Sequence, residues 1–240
     1  MSLTQHAEIW AIVPAAGFGS RMQSEIPKQY LPLLNRTVIE ITLNKLLSIS
    51  SIKGIVLVLN SEDNRWALSP LSSHSRIHRV SGGTERSGSV LNGLNYCLSN
   101  YSGDVDQLWT LVHDAARPCV SIEKISELID QGLRERHLRS GAILAVPCAD
   151  TIKRVTGEKI TQTVDRAELW SAHTPQFFPC GLLSDAITHA RARGGDITDE
   201  ASAVESIGGS VSVLRDRRDN IKITMPEDLL WAETILRQQG

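Results

Sequence analysis

The chain has 240 residues, enough for one large α/β domain or two small ones. Hydrophobic residues make up 41% and charged residues 22%, which excludes a disordered polymer and permits a sizeable buried core. A net charge of −2 gives no overall attraction to nucleic acid, so any basic cluster has a local purpose.

Cys97, Cys119, Cys148 and Cys180 form no C-x-x-C pair, which argues against a zinc site or disulfide framework and fits a reducing compartment. The first ten residues lack a basic stretch followed by an apolar one, and no apolar run approaches membrane-spanning length. A cytoplasmic protein is expected.

Ile9-Trp-Ala-Ile-Val13 predicts a buried first strand. Thr37-Val-Ile-Glu40 has the form of a capping box, and Ile39, Leu43, Leu46 and Leu47 continue it as an amphipathic helix over 37–49. Ile55–Leu59 is a second buried strand, residues 61–76 hold at most a short helix, and Ile77–Val80 is a third strand. A helix from Glu85 to about Cys97 follows. Leu108–Val112 predicts a strand, Ser121 caps a helix to about His137, and Gly141–Val146 is the next strand. Strand and helix thus alternate, as in a doubly wound, mostly parallel sheet of the Rossmann-like kind.

Residues 148–178 break that rhythm. Thr151–Val155, a turn at Gly157 and Ile160–Val164 predict a β-hairpin that projects as a lid or a dimerising arm. Helices are expected over Pro179–Arg193 and Thr198–Ile207, and strands over Ser210–Leu214 and Asn220–Thr224. A last helix starts with Pro226 at its first position. No linker or repeat interrupts the chain, so one domain (1–240) with an arm at 148–178 is expected.

The stretch after the first strand, Val13-Pro-Ala-Ala-Gly-Phe-Gly-Ser-Arg-Met22, carries the first chemical signal. Ala15, Ala16, Gly17 and Gly19 let a ligand approach backbone N–H groups, and Arg21 and Lys28 add two cations. The Rossmann fingerprint requires a glycine where Met22 stands, and no G-K-[ST] of a Walker loop exists in the chain. The alternatives are a plain βα turn or a cationic loop suited to phosphoryl or nucleotidyl transfer.

Two further loops fall at the carboxyl ends of predicted strands, where open α/β sheets bind ligands. Gly82-Gly83 with Arg86 and Ser89 heads a helix, and His113-Asp-Ala-Ala-Arg-Pro118 follows a buried strand. Asp114 and Arg117 form either an internal ion pair or a site for a sugar hydroxyl, metal or phosphate. His113 and His173 are not at metal-ligand spacing and are expected to pack or hydrogen-bond. Arg166, Lys222 and Thr198-Asp-Glu200 carry no signal individually.

Together, PAAGFGSRM with PKQY, SGGTERSGSV, HDAARP, ADTIKR, TVDR, TPQFF, TDEAS and DNIKIT-x-PEDL resemble the 2-C-methyl-D-erythritol 4-phosphate cytidylyltransferases of the non-mevalonate isoprenoid pathway, collinearly over nearly the whole chain. The resemblance implies attack of an alcohol's phosphate oxygen on the α-phosphorus of CTP, releasing pyrophosphate. It implies that Arg21 and Lys28 stabilise the transition state. CTP would meet Ala15, Ala16, Gly17, Gly19, Gly83, Ser89, Asp114 and Ala115. The alcohol phosphate would meet Asp114, Arg117, Thr198 and Lys222, with Thr151 and Arg166 reaching it from the arm of a partner subunit. Mg²⁺ would be held mainly by CTP phosphates and water, with no protein ligand set. A homodimer that binds neither nucleic acid nor membrane is implied.

Thr84 stands where some members of that family carry an acid, and the arm between Arg154 and Thr163 is short. With the sequence stopping at Gly240, the cyclodiphosphate synthase domain that some relatives carry fused is not expected here. The same chemistry on ribitol 5-phosphate or another pentitol phosphate is the nearest alternative. A non-catalytic nucleotide-binding regulator and an NAD-dependent oxidoreductase are the others. Retention of both loop cations argues against the regulator, and Met22 against the oxidoreductase.

Overall fold

The computed structural model describes residues 7–17, 22, 25–135 and 140–239. Chain order begins with β1 (Glu8–Pro14), the short β2 (Pro32–Leu33) and β3 (Arg36–Thr37), α1 (Val38–Leu47), β4 (Ile52–Leu59), β5 (Ile77–Ser81) and α2 (Arg86–Asn100). It continues with β6 (Leu108–Val112), α3 (Ile122–Arg134), β7 (Ser140–Pro147), β8 (Ile152–Thr156), β9 (Lys159–Val164) and β10 (Trp170–Pro179). The last elements are α4 (Cys180–Ala192), α5 (Glu200–Ser206), β11 (Ser210–Arg215) and α6 (Asp228–Gln239).

Seven strands form the main sheet in the order β11-β7-β10-β6-β1-β4-β5. All are parallel except β10, which runs antiparallel to both neighbours. The alternation of side chains along a strand explains why the buried strands are apolar throughout. On β1, Ile9, Ala11 and Val13 join α1 and α3 in one layer, while Ile12 joins α2, α4 and α5 in the other. On β4 the same division separates Ile55, Leu57 and Leu59 from Val56 and Val58. A third cluster, with Leu33, Val38, Cys119, Ile223, Ala232 and Leu236, seats α6 against the start of α1.

The helix ends follow their expected chemistry. Glu40 accepts the backbone N–H of Thr37 at 2.9 Å, and Ser121 Oγ accepts that of Lys124 at 3.2 Å. The helix expected to reach His137 is described to Arg134, and His137 lies outside the described residues. Residues 61–76 contain one 3₁₀ turn, Trp66–Leu68.

Three expectations change. Residues 170–178, expected within the arm, belong to β10 in the middle of the sheet, where Phe177 and Phe178 are fully buried. The hairpin itself is β8 and β9, a separate two-stranded antiparallel sheet that turns at Gly157 with φ of +60°. Asn220–Thr224 is not a strand: Ile223 N–H donates to Ala116 O at 2.8 Å, but no ladder continues on either side. Asn220 is instead tied by its side chain, which donates to Thr174 O at 2.9 Å and Asp216 Oδ2 at 2.8 Å. The last helix begins at Asp228, two residues beyond Pro226, and Asp228 Oδ2 accepts the N–H groups of both Thr224 and Met225 at 2.8 Å.

Because β7 runs parallel to β6 and β10 returns antiparallel, the hairpin leaves the sheet at its carboxyl edge. Trp170 and Pro147 are cross-strand neighbours at its root. The loops after β1, β5 and β6 lie at that same edge.

Candidate active site

Those three loops enclose a cavity of about 250 Å³. Its walls include Ala15, Ala16 and Gly17 after β1, Gly83, Arg86 and Ser89 around the start of α2, and Asp114 and Ala115 after β6. Lys28 and Lys222 enter from the flanks.

Small residues set the spacing of the walls. A Cβ on Gly82 would stand 2.5 Å from Ala16 Cβ, so the loops after β1 and β5 touch because one residue is glycine. A Cβ on Gly83 would stand 2.9 Å from the Gly88 carbonyl carbon, which allows this loop to lie directly on α2. Ser89 Oγ closes the turn, accepting from Gly83 N–H and donating to Glu85 O, both at 3.1 Å. Behind the β1 loop, Gln29 Nε2 donates to Ala15 O at 2.8 Å, and Thr42 Oγ1 donates to Ala115 O at 2.9 Å. Both carbonyls are therefore turned away from an anionic ligand and held there.

Asp114 is the charged centre. Arg86 Nε lies 3.1 Å from Oδ1, Lys222 Nζ 2.7 Å from Oδ2 and Arg117 Nε 3.8 Å from Oδ2. Burial alone would raise this carboxyl, but Arg86, Lys222 and Arg117 outweigh it and hold the group well below the usual carboxylate range. Arg86 in turn grips Glu200 with both Nη atoms, at 2.6 and 3.1 Å. Burial would weaken its proton affinity, but Glu200 and Asp114 reverse the effect and raise it.

His113 lies behind this floor, fully buried. Burial lowers its pKa from 6.5 to about 4, so the ring is neutral near neutrality. One tautomer satisfies every neighbour: Nε2–H donates to Arg117 O, Nδ1 accepts from Thr174 Oγ1, and Thr174 Oγ1 accepts from Asp114 N–H. The expected hydrogen-bonding role of His113 is what the geometry contains. His173 behaves likewise, its Nδ1 2.8 Å from Asp216 Oδ2.

The structure therefore gathers Ala15, Ala16, Gly17, Lys28, Gly83, Ser89, Asp114, Ala115 and Lys222 around one cavity. Arg117 is not in its wall: it is buried, with Nη1 donating to Asn220 O at 2.7 Å. Thr151, Arg166 and Thr198 are exposed and stand outside the cavity, and the Arg166 guanidinium contacts Ala149 O at the root of the hairpin. Gly19 and Arg21 lie outside the described residues. Arg86, Glu200, Gln29 and Thr174 are the participants that the sequence reading gave no role in the site. Arg86 had a local signal in its place at the start of a helix after Gly-Gly, but its carboxylate partners, Asp114 and Glu200, come from distant parts of the chain.

This arrangement suits a polyphosphate and a polyol together: amide-lined small loops and cations on one side, and a fixed carboxylate on the other. The family model for 2-C-methyl-D-erythritol 4-phosphate cytidylyltransferase (IspD) matches residues 9–238. The chain belongs to this family. A cytidylyltransferase of that name from Escherichia coli O1:K1 / APEC is 48% identical over 97% of this chain and 95% of its own length. The crystal structure of a Francisella tularensis family member superposes with a TM-score of 0.82 at 35% identity, covering 95% of this chain and 100% of the other. The 4-diphosphocytidyl-2C-methyl-D-erythritol synthase of Anaerococcus prevotii DSM 20548 gives 0.80 at 28% identity, covering 99% of both chains. The similarity of this chain to the cytidylyltransferases thus includes β10 and the hairpin as well as the nucleotide-side loops.

Proposed function

We infer that the chain transfers the cytidylyl group of CTP to 2-C-methyl-D-erythritol 4-phosphate, giving 4-diphosphocytidyl-2-C-methyl-D-erythritol and pyrophosphate in isoprenoid precursor synthesis. The observation that carries this reading is the meeting of the small-residue loop, Lys28, Lys222 and Asp114 in one cavity of a chain 48% identical to a cytidylyltransferase over nearly its full length.

The attacking phosphate oxygen is already anionic near neutral pH, so the reaction needs no strong base. Burial of a neutral His113 behind Asp114 fits that economy. Catalysis then rests on alignment and on cancelling charge at the α-phosphoryl oxygens. In this reading Lys28 and Arg21 supply that charge. Ala15, Ala16, Gly17, Gly19, Gly83, Ser89 and Ala115 hold CTP. Asp114, Lys222 and Thr198 meet the acceptor, and Arg117 acts from behind by holding Asp114 and the Asn220 carbonyl.

Among the described residues no group of three His, Cys, Asp or Glu side chains converges to hold a metal ion. Asp114, the carboxylate of the floor, is already engaged by Arg86, Lys222 and Arg117. In this reading Mg²⁺ is a companion of the triphosphate, held mainly by its phosphate oxygens and water.

The exposed positions of Thr151 and Arg166 support a homodimer in which each hairpin completes the partner's site. We propose one catalytic domain with the hairpin as its arm, working in the cytoplasm. Four free cysteines fit a reducing compartment, and no helix among the described residues is long and apolar enough to cross a membrane.

Pyrophosphate release with Mg²⁺ tests the reaction. CTP with 2-C-methyl-D-erythritol 4-phosphate is expected to react, while ATP, GTP and UTP are poor donors. Release with ribitol 5-phosphate alone would move the same chemistry to a pentitol substrate. No release from any pair would overturn the reading.

A further inference from the structure

Glu200 is not itself in the cavity wall, yet it is a carboxylate only 1% exposed. A carboxylate is buried at such a place only when its partners are held as firmly as it is. Both of its oxygens are taken by Arg86, Nη1 to Oε1 at 2.6 Å and Nη2 to Oε2 at 3.1 Å. The remaining edge of the same planar guanidinium, Nε–H, meets Asp114 Oδ1 at 3.1 Å. One arginine therefore bridges a carboxylate inside the cavity and a carboxylate beneath it.

Strand β10 fixes both ends of this bridge. Gln176 donates from Nε2 to Asp199 Oδ2 at 2.8 Å and accepts Ala201 N–H at 2.9 Å, bracketing Glu200 on both sides. Thr174, two residues earlier, accepts the Asp114 N–H at 3.0 Å. The bridge leaves Asp114 with one committed oxygen, Oδ1, and one oxygen, Oδ2, directed toward Lys222.

Arginine and carboxylate left to themselves favour the two-bonded fork, in which Nη and Nε take both oxygens. We propose that Glu200 is a positioning residue for the acceptor: by occupying both Nη atoms of Arg86, it limits that guanidinium to a single bond with Asp114 and keeps it off Oδ2, the oxygen that Lys222 holds and that an alcohol hydroxyl would share. The inference rests on the reading of Asp114 as part of the acceptor site. Its mark is expected on the acceptor side, because Glu200 acts on the cavity through Arg86 and Asp114.

Glu200→Gln keeps the shape and removes the charge. In the folded variant the acceptor KM is expected to rise tenfold or more, with kcat and the KM for CTP within threefold of wild type. Glu200→Asp, which retains the charge, recovers part of the loss. Equal rises in both KM values, or an unchanged acceptor KM, would overturn the inference. Should Glu200→Gln fail to fold, Glu200→Asp carries the test alone, since its shorter side chain cannot hold both Nη atoms of Arg86 in this geometry. The same split is expected, and an unchanged acceptor KM overturns it. Wild-type turnover separately tests the reaction. A silent wild type counts against the reaction alone, because the hold on Arg86 is also read from its guanidinium Nε–H resonance. That signal is expected to be well dispersed and slowly exchanging in wild type and to collapse in Glu200→Gln, and an unchanged signal overturns the inference.

Discussion

Lys222 Nζ lies 2.7 Å from Asp114 Oδ2, so one residue of the proposed acceptor site neutralises another before any substrate arrives. An incoming phosphate must share or displace that carboxylate, and an incoming hydroxyl must share or displace the ammonium. Lys222→Met removes the phosphate partner and loosens Asp114 at once. A charge-assisted hydrogen bond contributes about 1.5–3 kcal/mol, and partial exposure of Lys222 screens it toward the lower end. The acceptor KM is expected to rise by about tenfold, with the KM for CTP much less affected. Steady-state kinetics with each substrate varied in turn decide it, and a change confined to CTP would remove Lys222 from the acceptor site.

Lys28 is held differently. Its Nζ donates to Ile223 O at 3.2 Å, tying the loop after β1 to the segment that carries Lys222. A cation whose work is greatest as charge develops affects turnover more than binding. Lys28→Ala is expected to lower kcat by about 10²–10³ while CTP binding, followed by calorimetry, changes little. Near-normal turnover would exclude Lys28 from transition-state stabilisation.

Arg166 is exposed within its own chain. If it acts across a dimer, an Arg166→Ala chain and a Lys28→Ala chain mixed as heterodimers recover activity at one of the two shared sites. Up to about half of wild-type turnover per dimer is expected from simple site complementation. Purified heterodimers with no more activity than either parent would refute sharing.

Acid should weaken the fold through His113. Its folded pKa of about 4 lies below the ordinary 6.5, so the unfolded chain takes up a proton that the folded chain refuses. Stability from this residue is whole above 6.5 and falls as the pH drops toward 4, by about 3 kcal/mol in all. Asp114 has the depressed pKa of a paired carboxylate, so its contribution is present above the ordinary carboxylate pKa and is lost only in stronger acid. Urea unfolding of wild type and His113→Gln between pH 7 and pH 4 separates the two. The variant is expected to be less stable at pH 7 and to lose most of the slope in this window. An unaltered slope would rule out His113 as its source.

Gly132 lies in the last turn of α3, where alanine is ordinarily better by up to about 1 kcal/mol. Here a Cβ would stand 2.5 Å from Phe177 Cδ1, and Phe177 is itself stacked on Trp109 with ring centroids 4.8 Å apart. Neither ring has room to yield, and overpacking of this kind costs about 1–3 kcal/mol. Gly132→Ala is expected to be destabilising by about 1 kcal/mol or more on a denaturation curve. A stabilised variant would show that the ring pair is not rigid.

The parallel part of the sheet was legible because a strand covered on both faces is apolar at nearly every position, as in Ile55–Leu59 and, apart from Thr110, in Leu108–Val112. The caps at Thr37 and Ser121 were legible because their partners lie within one turn. Strand β10 was not, because Thr174 and Gln176 interrupt its apolar run. Their polar groups are spent inside the protein, on the Asp114 loop and the start of α5. Asn220–Thr224 misled for the opposite reason: its alternating Ile221 and Ile223 imitate a strand, but only one backbone bond to Ala116 forms.

The site divided along the same line. Loops at the carboxyl edge announced themselves through glycine, alanine and charge at close spacing. Arg86 with Glu200 did not, because an ion pair between residues 114 apart leaves no local pattern. Arg117 was read with two open roles, and the structure shows it buried with Nε 3.8 Å from Asp114 Oδ2.

The hairpin is inserted between two strands that are already hydrogen-bonded neighbours, with Pro147 and Trp170 paired at its base. Its ends are therefore brought together by the sheet, whatever its length. An appendage rooted in this way can lengthen, shorten or change sequence at little entropic expense to the catalytic body. The part of the molecule proposed to meet another subunit is thus the part freest to vary without altering the carboxyl edge from which it grows.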